Sequence, residues 1–402
     1  MNIFLIVYII FISISGALAL WFLRYCDLLV KHKVVHQVIK AEKDYMPYVS
    51  IIIPTYNEDL IIRNKLENTL DIDYPEKNRE IIVVDSASSD DTAYIVKDFK
   101  SVSLLTEKER KGKAHALAEA FKRARGELLL ITDADAMLNR DVLEKMVPFF
   151  ADATIGAATG KLSLVGKESK SKTSETAYRT FFDILRIYES RIVSTMVFNG
   201  PLMLFRASIV EPPSMNSVAD DTEMAFQVIR KGYRAIYIPD AVFFERVPAS
   251  NDTRLSQKER RAQGLVQSFI RHRDMLFNAK YGQFGKVIFP AEFIVHILLP
   301  FALVITTISA IISFLYEPIT TTIVSITAAV IVMLYALSVY RKFVHETENK
   351  KKLNFDEVKV TVLSFIQLEF ALFMGAVKLF IYGSNYKWEQ IKEARVEDVK
   401  SP

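Results

Sequence analysis

Residues 3 to 23, IFLIVYIIFISISGALALWFL, contain no charged side chain. As a helix this run reaches roughly 31 Å, the depth of a bilayer's hydrocarbon core. A cleaved leader would start with a basic stretch, but this chain starts Met-Asn, and Arg24, Lys31 and Lys33 follow the apolar run instead. Residues 1–24 are expected to be a retained transmembrane anchor in the cell membrane. The basic residues after it put the next domain on the cytoplasmic side.

Further apolar blocks lie after residue 286. One runs from Val287 to Tyr316 and is interrupted by Pro290 and Pro300. A second runs from Ile319 to Tyr340, and a third extends to Tyr382. The loop between the last two, RKFVHETENKKK, is strongly basic and is expected inside. The third block carries Gln367, Glu369 and Lys378, so it should pack on protein or lie partly at the interface. About three spans over 287–382 put the tail, 383–402, outside. Lys387, Lys392, Arg395 and Lys400 argue mildly for inside, and equal numbers of acidic residues balance them, so its side stays open. Residues 265–286 interleave apolar and basic side chains at helical spacing. They read as an amphipathic helix on the membrane surface, or as a surface helix of the soluble domain.

The chain is 50% hydrophobic yet 24% charged, which fits a soluble domain joined to membrane segments. A net charge of +4 implies no broad nucleic-acid surface, so no nucleic-acid partner is expected. The single cysteine, Cys26, excludes an intrachain disulfide, and the six histidines show no zinc-ligand spacing. Oligomeric state is not legible.

Between residues 48 and 264, strand-like and helix-like segments alternate. YVSIIIP, EIIVVDSAS, SVSLLTE and ELLLITDADA read as strands. DLIIRNKLENTLD, SDDTAYIVKDFK (capped by Ser89 or Asp90) and KAHALAEAFKRAR (closed by Gly126) read as helices. The order βαβα implies a parallel sheet covered by helices on both faces, with ligands beyond the carboxyl ends of its strands. Three strand ends are polar. The first gives Pro54, Thr55, Tyr56, Asn57 and Glu58; the second Asp85; the fourth Asp133 and Asp135. In an extended segment Asp133 and Asp135 point the same way. Two carboxylates side by side call for a cation between them. Together with Asp85 they suit a divalent ion escorting a diphosphate. No glycine-rich phosphate loop is present.

The ordered series PTYNE, VVDSASSDDT, GKAHAL, TDADA, ADDTEM and QKERRAQG resembles family 2 glycosyltransferases of the GT-A fold. Its closest likeness is to the membrane-integrated branch that includes cellulose, chitin and hyaluronan synthases. The likeness covers about residues 48–275. It implies an α/β, Rossmann-like nucleotide-sugar domain at 48–264, with one N-terminal and about three C-terminal transmembrane helices. It also implies roles. Glu58 and Asp85 would contact the nucleoside of a UDP-sugar, beside Pro54 and Tyr56, and Lys113 would approach the nucleotide. Asp133 and Asp135 would hold Mg²⁺ or Mn²⁺. Asp221 falls at the catalytic base, with Asp220 as its neighbour and as a cap for the following helix. Gln257 and Arg260 match two positions of QxxRW. Gly200, in FNGPLMLFRAS, would let the backbone approach the acceptor, or simply make a turn. Crowding of Asp220, Asp221 and Glu223 is expected to raise a pKa.

Three departures stand out. Ser86 and Ala87 replace Asp and Gly of VDDGS, Ala118 replaces an asparagine, and Arg261 replaces the tryptophan of QxxRW. The last argues against a processive polymer synthase. A guanidinium there suits a phosphate or an anionic glycan. The implied reaction is inverting transfer to a hydroxyl of a polysaccharide or lipid-linked oligosaccharide. Transfer to polyprenyl phosphate and a non-enzymatic transport protein are the alternatives. The expected partners are the nucleotide-sugar, a glycan or lipid-linked acceptor, and membrane lipids.

Overall fold

The computed structural model describes residues 2–31, 41–42, 44–165, 170–246, 251–347 and 355–383. Eight strands form one sheet: β1 Val49–Thr55, β2 Arg79–Asp85, β3 Val102–Thr106, β4 Leu128–Ile131, β5 Met137–Leu138, β6 Ile155–Val165, β7 Met203–Arg206 and β8 Arg234–Arg246. Their spatial order is β3-β2-β1-β4-β7-β6-β8-β5. The expected parallel arrangement holds for β3, β2, β1 and β4. Beyond β4 the sheet is mixed: β7 runs antiparallel to both β4 and β6, while β8 returns parallel to β6. Strand order reverses between β1 and β4, so their carboxyl ends flank a switch point, where open α/β sheets leave a crevice.

Strand alternation supplies two cores. Val49, Ile51 and Ile53 of β1 enter one, and Ile52 faces the other. Helices α1 Ile3–Lys31, α2 Ile62–Leu70, α3 Thr92–Lys97, α4 Lys113–Arg123, α5 Val142–Met146, α6 Lys170–Ile192, α7 Asp220–Arg230 and α8 Asn251–Arg271 complete the chain up to the C-terminal apolar region.

Several local expectations change. Gly126 does not close α4, whose C-cap is Ala124. A Cβ at Gly126 would lie 2.4 Å from the Ser50 backbone nitrogen, so close approach to β1 requires the glycine. Ahead of α3 the cap residue is Asp91, although Asp90 Oδ1 still accepts from the Thr92 N–H at 3.0 Å. Asp220 is not a cap either. It is the first residue of α7, behind Ala219, and its carboxylate is spent on an ion pair.

Residues 265–286 are not one surface helix. α8 ends at Arg271, and short turns follow with Phe277 at φ 53° and Gly282 at φ 56°. Phe269, Met275 and Phe284 are buried. The Phe269, Phe284 and Phe289 rings meet Phe226 edge to face, so the apolar side of this segment feeds the core beside the sheet rather than lipid.

Among the described residues, four helices are long and apolar enough to cross a membrane: Ile3–Val30, Phe284–Tyr316, Pro318–Lys342 and Val362–Tyr382. Their outer faces carry exposed Ile311, Leu315, Ile323, Leu334 and Phe370, the surface a lipid phase would cover. Pro290 and Pro300 do not break the second of these. Each follows a wide π-type turn, Phe284–Ile288 and Ile294–Leu298, where i→i+5 bonding accommodates the missing N–H. The last helix does pack on protein: Glu369 is buried, and Lys378 pairs with Glu259 of α8. α6 is wedged in the same bundle, with Phe182, Leu185 and Tyr188 against Phe22, Tyr25 and Leu29 of α1. Residues 166–169, which open the polar, basic stretch GKESKSK, and residues 384–402 lie outside the described residues.

Candidate active site

The polar strand ends meet at the switch point. Thr55 of β1 is in register with Asp85 of β2, so Tyr56 to Glu58 and Asp85 lie side by side. Asp85 is 1% exposed. Burial raises its pKa despite bonds from Ser88, whose N–H reaches Oδ2 at 3.3 Å. Its Oδ1 is buried without a partner, a costly arrangement that an N–H of a bound nucleobase would relieve. Glu58 is equally buried, with its backbone N–H donated to Thr92 Oγ1 at 2.7 Å. The partly buried Tyr56 ring lies under the Arg110 guanidinium, 3.8 Å from its centroid. Pro54 is the penultimate residue of β1, in register with Val84.

The loop after Asp85 explains one departure from the family pattern. Ala87 takes φ 57°, the left-handed region that glycine occupies at little cost. The alanine sits in a backbone shape built for the residue it replaces.

Asp133 and Asp135 are not on an extended strand. β4 ends at Ile131, and residues 132–136 form a turn closed by the Ala136 N–H on Asp133 O at 3.4 Å. The same-side expectation nevertheless survives in the burial pattern: Ala134 and Ala136 are buried, while Asp133 and Asp135 are partly open. Lys113, the first residue of α4, joins two parts of the site. Its Nζ is 2.8 Å from Asp133 Oδ1 and 3.0 Å from Asp220 Oδ2. Burial alone would lower the Lys113 pKa, but the Asp133 and Asp220 carboxylates outweigh it and hold the ammonium charged. Asp133 is kept ionised against burial by Lys113, Lys65 and Arg260.

Asp221 is the next residue along α7. Burial first, then the adjacent Asp220 charge, raise its pKa to about 6. Oδ1 accepts from the Thr222 N–H at 2.7 Å, and Oδ2 faces Gly200, where a Cβ would lie 3.4 Å away. A side chain at position 200 would therefore rest directly against the Asp221 carboxylate. The expected crowding involves Asp220 but not Glu223, which turns away into bonds with Arg271 and Ser214. On α8, Arg260 is drawn down by burial and by Arg261, against the pull of Asp133, Asp220 and Asp135. Gln257 lies partly buried one turn earlier.

Besides Arg110, two site residues escaped the sequence reading. Lys65 is fully buried on α2 and donates to Thr132 Oγ1 at 2.8 Å and Ala136 O at 2.5 Å, bracketing the aspartate turn from beneath. Burial lowers its pKa to about 7, against the opposing pull of Asp133 and Asp135. The signal was present in the sequence: Lys65 occupies the buried stripe of α2 with Ile62, Leu66 and Thr69. Glu245 of β8 is the other. Burial raises its pKa to about 7, opposed by Arg261, with Asp135 and Asp133 close enough to push it further. It pairs loosely with Arg261, Nη2 to Oε2 3.9 Å.

No set of three or more His, Cys, Asp or Glu side chains among the described residues forms a cage for a metal. Asp133 and Asp135 offer hard oxygen donors on a short turn, with Asp133 held ionised. That donor set fits Mg²⁺ or Mn²⁺ completed by phosphate oxygens and does not fit a thiolate- or imidazole-bound ion.

The family model described as glycosyl transferase family 2 matches residues 50–211. The poly-beta-1,6-N-acetyl-D-glucosamine synthase of Staphylococcus epidermidis is 27% identical over 281 residues, 67% of this chain and 66% of that protein. Its counterpart from Staphylococcus aureus is 27% identical over 263 residues, 63% of each. The chain thus spans just under two thirds of the length of these curated relatives. The mannosyltransferase PcManGT from Pyrobaculum calidifontis, solved with GDP-Man and Mn²⁺, superposes with a TM-score of 0.74 at 28% identity. That match covers 94% of this chain and 99% of the other.

Proposed function

We propose, from the match of the glycosyl transferase family 2 model to residues 50–211, that this protein is a membrane-embedded, inverting glycosyltransferase. It moves a sugar from a nucleoside diphosphate sugar to a hydroxyl of a lipid-linked or polymeric glycan on the cytoplasmic side. The observation that carries this reading is the Lys113 bridge. One ammonium within 3.0 Å of both Asp133 and Asp220 puts a diphosphate-binding turn next to the helix that bears Asp221.

Each side chain then has a task. Asp85 accepts an N–H of the base through its unpartnered Oδ1, and Tyr56 with Arg110 covers the nucleoside. Asp133 and Asp135 would hold a divalent cation, which when bound neutralises charge on the diphosphate. Lys113 and Arg260 face the same phosphates. Asp221 takes the proton from the acceptor hydroxyl. The new bond forms at the anomeric carbon on the face opposite the leaving diphosphate. That diphosphate departs with the bonding electron pair toward Lys113 and Arg260. A carboxyl with a pKa of about 6 is ionised at neutral pH yet basic enough to share the proton in the transition state.

UDP was the donor base expected from sequence. The name of the staphylococcal relatives fits an N-acetylglucosamine donor, while PcManGT holds GDP-Man. Both nucleotides belong in the test: nucleoside diphosphate release by the purified chain with native lipid extract, using UDP- and GDP-sugars, with Mn²⁺, Mg²⁺ or EDTA, beside Asp221→Asn. Metal-dependent release with one donor, lost in the variant, supports the reading. Release that survives Asp221→Asn moves the nucleophile to an already ionised phosphate. Neither release nor donor binding under any condition would refute it.

A further inference from the structure

Resting on that reading, we propose that Glu189 of α6 and Glu292 of the span Phe284–Tyr316 share one proton, and that this pair positions the Asp221 side of the site from inside the helix bundle. Both side chains are buried, at 2% exposure each. They lie within hydrogen-bonding reach of one another. Two carboxylates cannot bond to each other, because neither has a donor. Ionised together in a desolvated site, they would repel. One proton between them removes the repulsion and supplies the bond.

The surroundings say which carboxyl carries it. Glu189 already accepts twice: Tyr25 Oη of α1 donates to Oε1 at 2.8 Å, and Thr195 Oγ1 donates to Oε2 at 2.8 Å. Those bonds suit a carboxylate. Glu292 Oε1 is buried with no partner, and a hydroxyl there has Glu189 to donate to. Cations of the elements packed around the pair are engaged elsewhere. Lys342 pairs with Asp27 of α1, and Arg234 donates to the Ser190 and Val193 carbonyls at 2.9 and 3.0 Å. Arg186, on α6 itself, pairs with Asp183. His296 Nδ1 stands 2.9 Å from the Glu292 carbonyl oxygen and 3.1 Å from Oε2, so an N–H there is shared with the backbone. Cys26 of α1 lies beside the pair as a buried thiol. Burial first, then Glu292, push the Glu189 pKa well up, in keeping with a pair that keeps its proton at neutral pH.

The pair reaches the active site through one segment. α6 holds residues 195–199 at two points: Glu189 on Thr195, and Arg186, whose Nη1 donates to Asn199 Oδ1 at 3.3 Å. Asn199 Nδ2 donates in turn to Gly160 O at 2.6 Å, and the next residue, Gly200, lies against Asp221. Tying α6 to the span and to α1 therefore fixes the backbone beside the base. With the proton gone, two buried charges push α6 and the span apart, and the segment that ends at Gly200 loses its hold. Glu189 and Glu292 are positioning residues, acting through Thr195 and Gly200.

The test uses the full chain in phosphatidylcholine nanodiscs, with infrared spectra and steady-state kinetics on the same samples. At neutral pH the wild type shows the carbonyl stretch of a protonated carboxyl, and Glu292→Gln loses it. Glu369→Gln, which removes another buried carboxyl of the bundle, leaves the Glu292-dependent band in place. Glu292→Gln retains kcat, because its amide N–H donates to Glu189 in place of the proton. Glu292→Leu packs but cannot donate, and its kcat falls by about tenfold or more with donor KM unchanged. In the wild type the band and kcat are lost together as the pH becomes alkaline, and Glu292→Gln lacks that loss of kcat. A spectrum that Glu292→Gln leaves unchanged refutes the shared proton. An alkaline loss of kcat that persists in Glu292→Gln, or full kcat in Glu292→Leu, refutes the positioning role. Should Glu292→Leu fail to fold, the band and the pH profile of Glu292→Gln still decide. The infrared band needs neither donor nor acceptor, so it fails or holds independently of the transferase reading, which Asp221→Asn tests.

Discussion

The Lys65 amine donates to the carbonyl oxygen of Ala136 at 2.5 Å, while Lys113 Nζ donates to Asp133 Oδ1 of the same turn at 2.8 Å. The turn that presents Asp133 and Asp135 is thus held from beneath by a cation that no solvent reaches. Lysine is rarely buried fully, and here both of its bonds are made to the aspartate turn.

Lys65→Met keeps the volume and removes both. Thr132 Oγ1 and Ala136 O lose their donor, and the two aspartates lose a countercharge. Metal-dependent binding of nucleoside diphosphate is expected to weaken about tenfold, roughly 1.4 kcal/mol. Titration calorimetry at fixed Mn²⁺ measures this. Thr132→Val in the same background should add little, because both changes cut one contact.

Stability should also carry a Lys65 signature in pH. Its folded pKa of about 7 lies below the usual lysine value. Between these two values the unfolded chain binds the proton and the folded chain does not. Stability therefore rises as pH increases through that window. Thermal melts of the wild type and Lys65→Met from pH 7 to pH 9 should diverge, with the wild type gaining more.

Asp221 sets the acidic limb of activity. Its carboxyl must be ionised to accept a proton, so kcat/KM should climb through about pH 6 with unit slope and level off above it. Asp221→Asn should remove that limb along with about 10²–10⁴-fold of the rate. A pH–rate profile in which the limb stays in place in the residual activity would assign it to another group.

Gly200→Ala places a methyl group 3.4 Å from Asp221 Oδ2. The methyl group would rest against the carboxylate at ordinary contact distance and narrow the space beside it. A fall in kcat of about tenfold or more is expected, with little change in donor KM and little loss of stability. Steady-state kinetics with the donor varied separates the two effects.

Ala87→Gly should stabilise the protein by about 1 kcal/mol, because Ala87 holds a left-handed backbone at φ 57°. The change lies beside Asp85 but removes no hydrogen-bonding group. A rise in Tm with unchanged nucleotide binding is the expected result.

The sequence by itself determined what is written in local pattern. Uncharged apolar runs gave the four candidate spans, because helix length and hydropathy are properties of contiguous residues. Strand–helix alternation gave β1 to β4 and their parallel order, and polar residues at strand ends gave Asp85, Asp133 and Asp135 as one candidate site, to which the family resemblance added Asp221. Tertiary structure alone decided what depends on distant neighbours. β7 enters antiparallel beside β4 because the sheet's second half is ordered by long-range pairing, which no local period encodes. Phe269 and Phe284 belong to a core rather than a membrane surface because Phe226, far away in sequence, receives them. Lys113 is a bridge and Asp220 its partner, rather than a helix cap, because two carboxylates from separate elements converge on one ammonium. Partial burial of these three groups is tolerable only because their charges pair, and packing, not spacing along the chain, brings them together.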